Sequence, residues 1–454
     1  MTIARTICVG FLAVITVGTL LLMLPFATND GSWNNPLVAL FTSTSAVCVT
    51  GLIVVDTGSY FSFWGQLIIL LLIQVGGLGY MTTTTFLILL LGRRFDLRQK
   101  LAIQESFDRP FLHGNSQTLI RSIIATTLIF EIFGIILMFN VFSQKYGTSQ
   151  GLWLAIFHSI SAWNNAGFSL FPDSLMNFYD SWIINFTVPL LIIFGGIGYQ
   201  VIMELYMTIV HFVTNKQERL VFSLNFKVVI STTAILLIAG TLIFFIIEYA
   251  NPDTFGNLSF EGKLLTAWFQ SVTTRTAGFN SIDIGKMTFA GLFLTMGFMF
   301  IGASPSGTGG GIKTTTLRIL FNCTRSVLRG NDEVVMFRRE IPVPLILKAV
   351  AVVFGSTNMV VLITFLISLN EGIVNPSFFD SGVSSLQVLF EVISAFATVG
   401  LSTGITASLS PISQLLLILT MYTGRVGILL FMAAIAGETR PRVVQYPEET
   451  LLVG

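Results

Sequence analysis

Phe41-Thr-Ser-Thr-Ser-Ala-Val-Cys-Val-Thr-Gly51 is the first of four related stretches in this chain of 454 residues. The other three end at Gly167, Gly278 and Gly400, so successive glycines are 116, 111 and 122 residues apart. Every copy places an aromatic residue ten positions before its glycine. Three copies place a serine six positions before it, where the third copy has Val272. Self-similarity along a chain is the signature of repeated structural units, so this pattern predicts four copies of one unit.

Each of these glycines closes a short apolar segment of 12 to 14 residues. The segments lie near residues 37–48, 151–164, 262–274 and 384–397. A helix of that length rises only ~20 Å, whereas the hydrocarbon core of a membrane is about 30 Å thick. We therefore expect four re-entrant half-helices that enter the membrane without crossing it.

Longer apolar segments flank every short one, in a chain that is 53% hydrophobic and only 10% charged. Spanning a membrane takes about 20 apolar residues. Segments of this kind lie near residues 3–25, 64–91, 117–142, 182–212, 222–250, 288–321, 345–369 and 411–436. The first is longer than the apolar region of a secretory signal, which favours a membrane helix. The predicted fold is an all-α polytopic membrane protein with eight transmembrane helices and four re-entrant pore loops, in pseudo-fourfold symmetry around one pore.

A second glycine marks the descending helix of each unit. Gly79, Gly198, Gly311 and Gly427 follow the first set of glycines by 28, 31, 33 and 27 residues. Two markers in register predict a division into four pore repeats and a tail. The repeats are residues 1–92, 93–213, 214–330 and 331–437, and the cytoplasmic C-terminal tail is residues 438–454.

Basic residues predict the orientation of the chain. Of its 24 Lys and Arg, 19 lie at the termini or in linkers between units, and cytoplasmic loops are rich in these residues. Both termini are therefore expected in the cytoplasm, with the half-helices entering from outside. The outer segments would carry 4 − 11 = −7 charges, which would concentrate cations, although the topology rule alone predicts part of this asymmetry. The count includes Arg275 and Lys263 as basic residues and Glu248, Glu371 and Glu391 as acidic ones.

Four irregular stretches that meet inside a membrane predict a site made of backbone carbonyls. Irregular backbone is tolerated at membrane depth only where it is buried or lines a watery cavity, and rings of carbonyls can replace the hydration shell of potassium. Glycine permits the required backbone angles, and the C-terminal end of each half-helix carries partial negative charge. The predicted ion-binding residues are Val49, Thr50, Gly51, Asn165, Ala166, Gly167, Thr276, Ala277, Gly278, Thr398, Val399 and Gly400.

The sixth long segment carries Gly302-Ala-Ser-Pro-Ser-Gly-Thr-Gly-Gly-Gly311, in which proline and five glycines preclude a continuous helix. We interpret it as a gate below the ion-binding residues, the alternative being a kink or a close-packing site. Arg425, inside an apolar helix where a charge costs about 3 kcal/mol, is the second gate element. The predicted gate residues are Gly302, Pro305, Ser306, Gly307, Thr308, Gly309, Gly310, Gly311, Lys313 and Arg425. Glu131 and Glu204 also lie inside the membrane, as structural partners of polar groups or as functional residues.

No cofactor and no enzymatic activity are expected of this chain. Its three cysteines and three histidines share no metal-ligand spacing. Ile312 separates the glycine run from Lys313, which departs from the phosphate-binding loop, and no strand precedes it. Any nucleotide must therefore be sensed by a partner, and nucleic acid is not expected as one.

The four unlike pore loops on one chain, the broken third inner helix and Gly424-Arg-Val-Gly427 resemble the Ktr/Trk/HKT superfamily of potassium transporters, most closely the membrane subunits of bacterial Ktr systems. The resemblance implies potassium as substrate, taken up across the bacterial plasma membrane, often with sodium as activator. It also implies a homodimer in the lipid membrane and a cytoplasmic ring of nucleotide-binding regulatory subunits (KtrA-like). Glycine at all four positions resembles the potassium-selective members, since HKT proteins with serine in the first loop favour sodium. Two alternatives stay open: a sodium-selective or poorly selective cation transporter of the same fold, and an alternating-access secondary transporter.

Overall fold

The structure, a computed structural model, describes residues 3–79, 116–214, 222–380 and 382–436. Helices form nearly all of its regular structure, and within these ranges the strands are one short antiparallel pair, Val335–Met336 with Arg339–Glu340. The C-terminal tail and most of the basic linker 92–121 lie outside the described residues.

The helices follow the order that the sequence predicts, with long and short members in alternation. The α-helices are Ile3–Met23, Pro36–Val47, Thr57–Tyr60, Phe63–Leu78, Ser116–Tyr146, Thr148–Trp163, Trp182–Ile197, Tyr199–Val213, Leu224–Glu248, Phe260–Thr273, Phe289–Phe300, Thr314–Leu328, Val343–Val374, Ser377–Asp380, Ser385–Phe396, Pro411–Val426 and Ile428–Ala436. Single 3-10 turns are Pro25–Ala27, Met176–Phe178, Ile284–Lys286 and Thr406–Ser408. We call Pro36–Val47, Thr148–Trp163, Phe260–Thr273 and Ser385–Phe396 the short helices.

Four of the described helices are long and apolar enough to cross a membrane, namely those that begin at Ile3, Ser116, Leu224 and Val343. Two bent pairs of helices raise the number to six if each pair counts as one span. The chain is therefore a helical polytopic membrane protein, and the arrangement of eight crossings in four repeats stays a prediction.

The two bent pairs correct the expectation of continuous helices over residues 182–212 and 411–436. The helix axis turns by 101° at Gly198 and again by 101° at Gly427. Both glycines have positive φ, 89° and 91°, which glycine adopts at little cost and which ends a helix. Gly79, with φ 79°, ends the helix Phe63–Leu78 in the same way, and the rest of the predicted segment 64–91 lies outside the described residues.

The break in the predicted segment 288–321 has the form of a small hairpin between the helices Phe289–Phe300 and Thr314–Leu328. Its two sides are joined by backbone hydrogen bonds from Gly302 N to Ile312 O (2.9 Å) and from Ala303 N to Gly310 O (3.2 Å). Gly311, the third glycine of the second set, has φ 69°. Gly198, Gly311 and Gly427 therefore lie at breaks between two helices, and Gly79 ends one.

Serine hydroxyls anchor three of the short helices on the long helix that precedes each of them. The donors and acceptors are Ser43 to Ile15 O (2.8 Å), Ser159 to Glu131 O (2.7 Å) and Ser271 to Leu237 O (2.9 Å). Three residues after each acceptor stands a glycine, Gly18, Gly134 or Gly240, whose α-carbon faces the same serine. The missing side chain lets each short helix approach the long helix closely enough for the hydroxyl to reach a carbonyl that is already used within the helix.

We expect Gly134→Ala to lower the thermal midpoint of the purified protein in detergent. The new Cβ would overlap the Ser159 hydroxyl and lie 2.6 Å from Leu191 Cδ1, and overpacking of this kind costs about 1–3 kcal/mol. Gly297→Ala is the matched control, because nothing lies within 4 Å of a Cβ at that helical position. The control should melt at or slightly above the wild-type midpoint, and equal loss in both variants would contradict the anchoring role.

Candidate ion-binding site

The four predicted ion-binding stretches share one unusual backbone conformation. We call residues 49–51, 165–167, 276–278 and 398–400 the glycine turns. The first residue of each has positive φ: Val49 58°, Asn165 57°, Thr276 63° and Thr398 51°. The closing glycines have φ 90°, 69°, 75° and 91° in the same order. Positive φ is a genuine outlier for a β-branched residue, so the repetition at four equivalent positions means that the surrounding structure imposes it.

The glycine turns lie next to one another in a closed ring. A Cβ built on Gly51 would lie 2.5 Å from Ala166 O, and one on Gly167 would lie 2.8 Å from Ala277 O. A Cβ on Gly278 would collide with Val399 O, and one on Gly400 with Thr50 O. Each glycine thus packs against the carbonyl that precedes the next glycine, and the fourth turn meets the first. The structure brings all four predicted stretches together, with backbone carbonyls crowded where a side chain would not fit.

The serine six positions before the glycine has a role that the sequence pattern did not reveal. Ser45 and Ser394 each accept a hydrogen bond through Oγ from the closing glycine, Gly51 N and Gly400 N, at 3.1 Å. Their carbonyl oxygens also accept from the residue before that glycine, at 2.8 Å. One serine therefore holds two consecutive backbone N–H groups and fixes the turn.

The second and third glycine turns are held differently. Ser161 donates to the carbonyl of Phe168, the residue after the glycine, at 2.8 Å. In the third turn Val272 replaces the serine, and its neighbour Thr273 donates to Phe279 O at 2.7 Å. The role of Thr273 was not predicted from the sequence. The signal for it was a hydroxyl residue directly after the position where the other three copies have serine.

Buried polar side chains brace the chain just beyond two of the turns. Glu391 accepts hydrogen bonds from Ser402 Oγ (2.8 Å), Thr403 N (2.8 Å) and Thr406 Oγ1 (2.7 Å). His158 Nε2 lies 2.9 Å from Ser169 Oγ. Both braces stand nine residues before the glycine and hold the residue two positions after it. The two turns thus rest on side chains of different chemical type.

Several of the charged residues counted in the predicted outer segments are buried in the structure. Glu248 and Glu371 are also buried, where they accept from Thr288 N (3.0 Å) and Ser410 N (2.9 Å) at the beginnings of descending helices. They and Glu391 satisfy protein donors instead of facing solvent. Arg275, counted there as an outer basic residue, is also buried, with 7% of its surface exposed. Exposed Asp30 stays acidic, because hydrogen bonds from Ser32 lower its pKa.

The 302–311 loop contacts the glycine turns directly. Gly310 N donates to Thr398 Oγ1 at 3.0 Å, and Gly309 lies against Thr276 Oγ1 so closely that a Cβ there would overlap it. The loop is also fixed to the end of the helix Trp182–Ile197. Ser304 N donates to Gly196 O at 2.9 Å, and Thr308 N donates to Gly195 O at 3.1 Å.

Two cationic side chains also donate to the same loop. The Arg425 guanidinium donates to Thr308 O in the loop and to Gly76 O near the end of the helix Phe63–Leu78. Lys313 Nζ donates to Gly309 O at 2.9 Å. The other predicted gate residues contact the bend at Gly198 or close the hairpin. They are Pro305, Ser306 and Gly307 at the bend and Gly302 and Gly311 in the hairpin.

The two intramembrane glutamates accept hydrogen bonds from residues outside the glycine turns, although the partner of Glu131 directly precedes the second turn. Glu204 accepts from Ser223 N (3.1 Å) and Ser223 Oγ (2.8 Å) at the beginning of the helix Leu224–Glu248. Glu131 accepts a long hydrogen bond of 3.4 Å from Asn164 Nδ2. Their geometry favours the structural reading for both.

A helical membrane protein in which four short helices end in a ring of crowded carbonyls belongs to the class of membrane cation transporters. The family comparison agrees, because residues 5–438 match the TrkH family, described as cation transport protein. The chain belongs to this family, which confirms the superfamily resemblance read from its four glycine-ended stretches.

Relatives match over nearly the whole chain. The Ktr system potassium uptake protein B of Bacillus subtilis is 38% identical, over 99% of this chain and 96% of that protein. Its namesake from Vibrio alginolyticus is 38% identical, over 99% and 94%. The potassium/sodium uptake protein NtpJ of Enterococcus hirae is 35% identical, over 99% and 97%. Among solved structures, the potassium transporter TrkH from Vibrio parahaemolyticus aligns with a TM-score of 0.66 at 18% identity, over 93% of this chain and 84% of that one. That likeness shows the same fold.

We expect Ser394→Ala to reduce discrimination among alkali cations. The buried Gly400 N–H would lose its hydroxyl partner, and an unpaired buried donor costs about 1–3 kcal/mol, enough to displace the fourth turn. The measurement is uptake of radioactive rubidium into proteoliposomes in competition with sodium. Ser394→Thr, which keeps the hydroxyl, should retain wild-type discrimination. Unchanged discrimination in the alanine variant would contradict the role assigned to the serine.

Proposed function

We propose that this chain mediates uptake of potassium ions across the bacterial plasma membrane. The observation that carries the proposal is the closed ring of four glycine turns. In support, three relatives of at least 35% identity over 99% of the chain are named potassium or potassium/sodium uptake proteins.

The proposed selectivity filter consists of the carbonyls of the glycine turns. A dehydrated potassium ion needs several oxygen ligands, and rings of backbone carbonyls supply them without adding net charge. The four short helices end at the turns, so their C-terminal ends add partial negative charge. The proposal includes the wider architecture: four repeats with eight crossings, both termini in the cytoplasm and the short helices entering from outside.

The proposed gate is the 302–311 loop with Lys313 and Arg425. Three contacts support it: the loop touches Thr398 and Thr276 of the filter, it is tied to the bend at Gly198, and Arg425 holds it in place. The loop is held at separate points by individual hydrogen bonds to Thr398, Gly195, Gly196 and Arg425. Release of the loop requires these bonds to break, and the carbonyls and donors left behind need new partners.

The proposed setting of this site is a Ktr-type system. The relatives called Ktr system proteins support a multi-component system, and we propose a homodimer in the lipid membrane with a KtrA-like cytoplasmic ring of nucleotide-binding regulatory subunits. Sodium is the proposed activator. The name of the Enterococcus hirae relative, a potassium/sodium uptake protein, also favours a second candidate function, transport of both ions with little selectivity.

Gly278→Ser should abolish or strongly reduce the growth of potassium-uptake-deficient cells at low potassium. The serine Cβ would collide with Val399 O at a residue whose φ is 75°, so the third and fourth turns would have to separate. A loss of about 1.4 kcal/mol in ion binding would require about tenfold more potassium for equal growth. Gly297→Ser, in open space on a neighbouring helix, should grow like wild type. Undiminished growth of Gly278→Ser would refute the filter assignment, and growth that is rescued equally by sodium and potassium would favour the less selective function.

Deletion of residues 307–311 should raise rubidium flux through proteoliposomes that contain this chain alone. The deletion removes the segment that bonds to Arg425 and Thr398, so the path below the filter would no longer be obstructed. Arg425→Gln should raise flux in the same direction by a smaller factor, because it removes only the contacts to Thr308 and Gly76. Flux equal to wild type in the deletion variant would contradict the proposed gate.

A further inference from the structure

Arg275 is a buried cation that the proposed filter and gate do not use. It follows the short helix Phe260–Thr273 and stands three residues before Gly278, with 7% of its surface exposed. The equivalent residues of the other three units are Cys48, Asn164 and Ala397, none of which is charged. The third unit alone therefore carries a fixed positive charge at this depth.

The Arg275 guanidinium has no protein partner among the residues that the structure describes. Its Nε is fully buried without a hydrogen bond, and the one ion pair within the described ranges joins Lys286 to Asp283. The adjacent helix end offers partial negative charge, but this is smaller than the cost of burying an unpaired charge. A buried arginine in this condition calls for a partner in another state of the protein.

The surroundings of Arg275 identify that partner. A cavity of about 10 Å³ is lined by Arg275, Gly196 and Ala303, together with apolar residues such as Ile192 and Leu237. Such a space holds at most one water molecule. Gly196 is near the end of the helix Trp182–Ile197, where its carbonyl accepts a hydrogen bond from Ser304 of the gate loop. Arg275 therefore borders a cavity that also reaches the helix end to which the gate loop is attached.

Movement of the gate loop would leave the carbonyl of Gly196 without its present hydrogen-bond donor. If the loop left, Gly196 O and its neighbour Gly195 O would lose their donors, Ser304 N and Thr308 N. Carbonyls at a buried helix end require partners, and Arg275, whose buried Nε has no hydrogen-bond partner, borders the same cavity as Gly196.

We infer that Arg275 is a positioning residue that stabilises the released state of the gate loop by donating to the carbonyl of Gly196. This inference rests on the proposed gate. Arg425 bonds to the loop in its present position and holds the gate closed, whereas Arg275 gains a partner only when the loop departs. The two arginines thus act on one equilibrium in opposite directions.

The test uses Arg275→Met and Arg275→Lys in the full chain, reconstituted in proteoliposomes and assayed by rubidium flux. Loss of one hydrogen bond from the released state should lower flux by about tenfold in Arg275→Met, whereas Arg425→Gln raises it. Arg275→Lys, which keeps a charged donor, should retain part of the flux. Flux at or above wild type in Arg275→Met overturns the inference.

Thermal unfolding separates this role from a structural one. Arg275→Met should melt no lower than wild type, because the present state loses no hydrogen bond. Lys263→Met is the matched control on the same short helix, since Lys263 is a buried cation that donates to Tyr249 O at 3.0 Å and lies over the Tyr249 ring. The control should melt lower. A lower midpoint in Arg275→Met overturns the inference in favour of a structural arginine.

The deletion of residues 307–311 distinguishes this inference from the gate on which it rests. In the deleted protein Arg275→Met should change flux by less than about twofold, because the segment that Arg425 holds is gone and no closed position remains for Arg275 to oppose. A further tenfold loss there overturns the inference and assigns the charge of Arg275 to the filter. If the deletion alone leaves flux unchanged, the gate fails and the role of Arg275 fails with it. If the deletion raises flux but Arg275→Met in the intact chain does not lower it, only the role of Arg275 fails.

Discussion

The crowding of each glycine against a carbonyl of the next turn is the contact on which the rest of this structure depends. Four backbone segments can meet so closely only if no Cβ intervenes and if each turn adopts positive φ at two of its three residues. That conformation is costly for Val49, Thr276 and Thr398, so it must be imposed from outside. The short helices impose it by fixing the start of each turn. The ring therefore also depends on the serine and glycine pairs that hold three of the short helices against the long helices.

The four glycine turns have similar backbones, but different side-chain contacts hold them in place. In the first and fourth turns a serine hydroxyl accepts from the closing glycine, whereas in the second and third a hydroxyl donates to the residue beyond it. Glu391 braces the fourth turn and His158 the second. The 302–311 loop approaches from one side and bonds to the fourth turn. The same backbone conformation is thus maintained by different side chains in the four turns.

The positions of the helices were predicted from the sequence better than the bends within them. The short helices lie within four residues of their predicted bounds, because apolar length and the closing glycine are local signals. The bends of 101° at Gly198 and Gly427 were missed, since a single glycine in an apolar run also fits a straight helix until its φ is known. The burial of Glu248, Glu371 and Glu391 was missed for a similar reason. Glu248 and Glu371 each accept from a residue 39 or more positions away, and the donors to Glu391 lie beyond the turn. Long-range partners leave no periodic trace in a sequence.

The ring is built from one chain, which sets it apart from a pore of identical subunits. In a symmetric tetramer every substitution is present in all four subunits, so the four equivalent turns can only change together. Gly51, Gly167, Gly278 and Gly400 are encoded separately, and so are the hydroxyls and charges behind them. A mutation can therefore alter one of the four glycine turns of the proposed filter and leave the carbonyls of the other three in place. If the turns form the proposed filter, ion preference can change in small evolutionary steps. One turn, such as the third with its single arginine, can then specialise while the other three keep their backbone geometry.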